Sequence, residues 1–144
     1  MTAAYLAFFG LGRLPSQLLN PQPVSWESYY IGLGTKTGLE ITFSANLFDQ
    51  LPSYGDDWII TLDGVEQPLA GIYHNNGSNV MRVYFTHVAE DGDVISVRLT
   101  RPEPMYATSD GSILTGFQEI EDTYLIAKSL EFDKDGNPID KSSP

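Results

Sequence analysis

The 144-residue chain contains no cysteine, which excludes disulfide frameworks, thiol nucleophiles and thiolate metal sites together. Cations are scarce. Eight Lys and Arg stand against 19 Asp and Glu, so the formal charge is −11. Such a charge repels a phosphate backbone and argues against nucleic acid as a partner. No run of about 20 consecutive apolar residues is present, the length a helix needs to cross a bilayer, so no membrane partner is expected. Only two imidazoles occur, His74 and His87, on separate segments that each read as β structure. Neither a Gly-x-Ser-x-Gly elbow nor a His-Glu-x-x-His pair is present. The expectation is therefore two surface or edge histidines, no catalytic residue, no metal site and no cofactor. With 42% hydrophobic and 19% charged residues, the composition fits one globular core plus an arm or tail.

What is present begins with AYLAFFGLGRLPSQLLNPQPV, Ala3 to Val24, whose only charge is Arg13. A secretory leader is not expected, because a basic start is lacking and Gly10, Gly12 and Pro15 interrupt the apolar run. Pro15, Pro21 and Pro23 stiffen the segment and favour extended backbone. Two coverings are open for its apolar side chains, the chain's own domain or another subunit. The contrast with the acidic remainder favours the second, since an exposed apolar patch of that length invites aggregation. Tyr5, Leu6, Phe8, Phe9, Leu11, Leu14 and Leu18 are accordingly the candidate partner-binding residues. Burying several such side chains is worth on the order of 5 to 10 kcal/mol before the arm's ordering is subtracted.

From Leu39 the pattern alternates strictly, with Leu39, Ile41 and Phe43 on one face and Glu40, Thr42 and Ser44 on the other. Period two marks a half-buried strand. Trp58, Ile60 and Leu62 repeat it, and Asp63-Gly64 then supplies a tight turn before Val65 to Leu69 returns. Gly71 to His74, the Asn75–Asn79 loop, the Met81/Val83/Phe85 alternation, the Glu90–Asp93 turn and the Ile95/Val97/Leu99 alternation follow. These inward positions form the expected core, with Ser96 and Arg98 pointing out. Pro102 and Pro104 rule out a central strand there. Ser109-Asp110-Gly111 reads as a turn, Ile113–Ile120 as containing a short strand, and Thr123–Phe132 as a last apolar segment. Helical turns are expected at Ser16–Leu19 and Leu125–Leu130 alone. Short strands with close-spaced turns indicate an all-β antiparallel sandwich or barrel.

The order of these pieces resembles bacterial Ig-like repeats of large adhesins and of the cyanobacterial swimming-motility surface protein. The segments that carry it are LEITFSANL (Leu39–Leu47), WIITLDG (Trp58–Gly64), VMRVYF (Val80–Phe85), EDGDV (Glu90–Val94) and DGSILTGF (Asp110–Phe117). The chain departs from that family in holding a single copy with an extension at either end. The resemblance implies a single antiparallel Ig-like β-sandwich over 25–121, which leaves the extended N-terminal arm over 1–24 and a C-terminal extension with a hairpin turn over 122–144 outside it. Similar domains are displayed on bacteriophage capsids and tails, as decoration or cement proteins.

The first functional expectation is a non-enzymatic structural protein of a virion, on the capsid surface, docked by its arm on the major capsid protein or on its own copies. The second is an extracellular or cell-surface adhesin or glycan-binding module using Trp26, Trp58 and Tyr73 as stacking platforms. A tail or baseplate component is the third. Asp56-Asp57 beside Trp58, and Glu27 beside Trp26, lack any signal that sets the carboxylate spacing of glycoside hydrolysis. Glu131 to Asp140 alternates oxygen ligands around Gly136 but has Ser142 where a calcium loop needs a bidentate acid, so a turn on Asp135-Gly136 is expected.

Overall fold

The computed structural model describes residues 21–32, 35–50, 58–100 and 106–139. These residues form ten strands and no helix. One sheet contains β1 (Pro23–Ile31), β2 (Lys36–Asp49), β5 (Gly71–His74), β6 (Ser78–Phe85) and β10 (Leu130–Phe132), in the order β10-β1-β2-β6-β5. The short β8 (Tyr106–Ala107) pairs with the far end of β2. A second sheet contains β3 (Trp58–Leu62), β4 (Val65–Gln67), β7 (Val94–Leu99) and β9 (Phe117–Thr123), in the order β9-β7-β3-β4. Every pairing is antiparallel except β10 on β1, where Leu130 lies beside Tyr29 and Phe132 beside Ile31. The protein is thus all-β, built on two largely antiparallel sheets.

Strand phase decides what is buried. Partners in register share a face, so Leu39 with Val83, and Ile41 with Met81, point the same way from the first sheet. Trp58 with Leu99, and Ile60 with Val97, do so from the second. All of these join one hydrophobic cluster with Phe43, Phe85 and Ile95. Phe43 of the first sheet meets the Phe117 ring of the second edge-on at 6.1 Å, and Trp58 meets the same ring at 5.8 Å. Of the expected core only Leu62, at the turn, is partly buried rather than buried. Asp63 and Gly64, at φ 51° and 84°, make the left-handed pair that a two-residue hairpin requires.

Several expectations are corrected. Ser96 does not point to solvent: its hydroxyl is buried, 2.5 Å from Thr61 Oγ1 on β3, and donates to Glu119 Oε2 on β9 at 2.6 Å. The return strand after Gly64 ends at Gln67 rather than Leu69. β1 begins at Pro23, two residues before the expected start of the sandwich at Ser25, and Pro there is tolerated as a first strand residue. β9 runs on to Thr123, and β10 lies wholly inside the expected C-terminal extension and adds a strand to the larger sheet. Between them a single turn at Leu125 to Ser129 closes on the Leu125 carbonyl, which accepts from Lys128 N and Ser129 N.

Candidate functional site

Tyr5, Leu6, Phe8, Phe9, Leu11, Leu14 and Leu18 lie outside the described residues, as do Asp56-Asp57 and Pro102-Pro104. The described chain starts at the base of that arm. There Ser44 N donates to the Gln22 carbonyl at 2.9 Å and Gln22 N donates to Ser44 Oγ at 3.0 Å, clamping the backbone onto β2. Immediately after the clamp, Val24 is 60% exposed and Trp26 37% exposed. The Trp26 indole N–H donates to the Glu121 carbonyl at 2.9 Å, so its ring bridges the first strand of one sheet to β9 of the other. Pro23, Trp26, Leu99, Phe117 and Ile120 line an open cavity of about 1080 Å³ beside this bridge. Large apolar side chains left in water at one spot are the usual mark of a contact surface.

The proposed stacking triplet does not assemble. Trp58 is a core residue, 2% exposed, while Tyr73 sits half-exposed on the outer face of the larger sheet and Trp26 at the arm's base. The histidines also stay apart. His74 lies on the edge strand β5 with its side chain only 2% exposed: Nδ1 lies 2.8 Å from Asp49 Oδ1 and Nε2 lies 2.8 Å from the Ser78 carbonyl. Nε2 therefore faces a backbone carbonyl and not a hydroxyl nucleophile. His87 is exposed and leans on the Phe85 ring at 6.1 Å.

The Asp133 turn is a hairpin end. Asp133 Oδ1 accepts from Asp135 N at 2.8 Å and Asn137 N at 2.9 Å, and Asp133 N donates to the Asn137 carbonyl at 2.8 Å. The Asn137 amide, ahead of other contributions, holds the Asp133 carboxyl below its ordinary range. This oxygen is occupied by backbone donors, and no group of three or more His or carboxylates able to hold a metal occurs among the described residues.

Sequence reasoning missed the outer face of the larger sheet. Gly38 of β2 lies between Tyr29 and Tyr84 in register, and a Cβ there would come 2.7 Å from Tyr84 Cα. Tyr29, fully buried, meets the Phe132 ring edge-on at 5.8 Å. Over that ring, 3.9 Å from its centroid, sits the Arg82 guanidinium, which also faces Tyr73 at 5.3 Å and whose Nε donates to Glu40 Oε2 at 3.0 Å. Burial pushes the Tyr29 hydroxyl well above its ordinary pKa, with Arg82 opposing, so it remains a neutral O–H. That hydroxyl has no hydrogen-bond partner among the described residues. An orphaned buried hydroxyl costs on the order of 1 to 3 kcal/mol.

Comparison with known proteins gives no matching family model, no matching curated protein and no matching solved structure.

Proposed function

We propose that the two sheets are an Ig-like β-sandwich serving as a non-enzymatic structural protein of a large assembly, docked through its N-terminal arm as a capsid decoration protein is. Strand order supports the Ig-like part: β1-β2-β6-β5 corresponds to A-B-E-D, and β4-β3-β7-β9 to C′-C-F-G. The observation that carries the docking part is the apolar ledge at Pro23, Val24 and Trp26, which continues the almost uncharged character of the first residues onto the folded body. Arm and ledge together form one contact surface for a neighbouring subunit. Repeated copies on a symmetric surface turn individually weak contacts into stable attachment.

The test uses the full-length chain with Phe8→Asp and Phe9→Asp. Sedimentation velocity and co-sedimentation with particles lacking the protein are compared with the unaltered chain. The unaltered chain should associate and attach, and the variant should stay monomeric and unattached with the same melting temperature. A variant that melts markedly lower would assign the arm to its own core. An unaltered chain that never associates would remove the assembly reading.

A further inference from the structure

The outer face of the larger sheet carries a second site, at the far end of β1 from the arm. Tyr29 stands six positions along the strand from Pro23, about 20 Å at the usual rise. There the Lys134–Asn137 turn and the sheet enclose a cavity of about 290 Å³. Lys36, Arg82 and Lys134 line it, three of only eight cationic residues in a chain of charge −11. Two acids offset them: Glu40, which accepts from Arg82, and Asp135 on the rim. Aromatic surface completes it. Tyr84 fills the space a side chain at residue 71 would take, since a Cβ on Gly71 would lie 2.7 Å from Tyr84 Cζ. Lys36 Nζ lies 5.4 Å from the centre of that ring, and Tyr73 stands beside it half-exposed. Tyr29, whose buried hydroxyl lacks a partner among the described residues, lines the same cavity.

We infer that this cavity binds one acidic sugar residue of the uronic-acid class, with its carboxylate between Lys36 and Lys134 and its ring face on Tyr73. A flat, half-exposed aromatic ring suits the C–H face of a pyranose, and ammonium groups suit its carboxylate. Asn137 and the Tyr29 hydroxyl supply the hydrogen-bonding groups that sugar hydroxyls need. Inorganic phosphate would use the lysines but leave the aromatic wall and the Tyr29 hydroxyl without a role. The site does not depend on the arm or its docking.

The probes are oligomers of galacturonate and of glucuronate, the fully methyl-esterified oligomers and inorganic phosphate. Each is titrated into the full-length chain while backbone amide signals of Lys36, Tyr73 and Asn137 are followed. One acidic oligomer should saturate these signals at least about tenfold more tightly than its ester, as expected for one charge-assisted contact. Phosphate should not displace it. Lys36→Gln combined with Lys134→Gln should abolish the preference for acid over ester, and Tyr73→Ala should weaken both. Tyr29→Phe should leave the melting temperature unchanged or higher while weakening binding several-fold, which separates a ligand contact from a merely structural hydroxyl. Absence of saturable binding, equal binding of acid and ester, full competition by phosphate, or a double lysine variant that keeps the preference would each overturn the inference.

Discussion

The two faces of the β1-β2-β6 layer solve the same problem differently. On the inner face, Leu39, Ile41, Met81, Val83 and Phe85 meet the second sheet and are hidden by sheer apolar area, with no directional bond among their side chains. On the outer face, Gly38, Glu40, Arg82 and Tyr84 alternate with them, and no second sheet lies over it among the described residues. Concealment there falls to the C-terminal segment: β10 adds beside β1, Phe132 caps Tyr29, and Arg82 holds the cap by its ring face and Glu40 by its Nε. The inner face tolerates any well-shaped apolar filling. The outer face depends on a few specific, partly polar contacts, and it leaves a polar void that a ligand can use.

That contrast predicts a ranking of effects. Removing a ring from the inner face should be worst: Phe85→Ala should lower the free energy of unfolding in urea by about 3 to 5 kcal/mol, against under about 1 kcal/mol for exposed Arg98→Ala. Phe132→Ala should cost about 2 kcal/mol, and chiefly locally, raising hydrogen exchange at Tyr29 to Ile31 before global unfolding. Equal losses at Phe85 and Phe132 in one cooperative transition would erase the distinction between the faces.

A smaller effect is expected at the ion pair. Arg82 and Glu40 keep 17% and 22% of their side-chain surface, so solvent screens them in part. A double-mutant cycle with Arg82→Met and Glu40→Gln should give a coupling of roughly 0.5 to 1 kcal/mol that falls with added salt. A coupling near zero would mean that Arg82 acts on the cap through Phe132 alone.

The smallest effect belongs to the turn. Asp133 has a folded-state pKa below its ordinary value, so the stabilisation it contributes is complete above the ordinary value, about 3.9 for Asp, and is lost as pH falls toward the folded one. Asp133→Ala should therefore melt slightly lower than the unaltered chain at pH 7, and the two melting curves should converge in acid below that value. A difference that persists in acid would assign the effect to backbone preference and not to the carboxylate.

The alternation of apolar and polar residues made eleven of the twelve proposed core positions legible as buried, because a strand's two faces are set by local period and need no knowledge of its partners. Turn chemistry was legible for the same reason at Asp63-Gly64 and at Asp133 to Asn137. β1 was not, since Val24 and Trp26, which hold its alternating phase, stay exposed and Tyr29 and Tyr30 are buried on opposite faces. Nor was the candidate site legible. Tyr29, Gly38, Arg82 and Phe132 are each unremarkable in sequence and meet only because β10 pairs in parallel with a strand about a hundred residues earlier, a pairing that leaves no local period. Sequence by itself determined the β character, the phase of four strands and the charge contrast between the first residues and the rest, because each is a property of near neighbours. The tertiary fold alone set the sheet order, the burial of Tyr29, the shielding of the His74 side chain and the cationic, aromatic cavity, because each depends on which distant strands come to lie side by side.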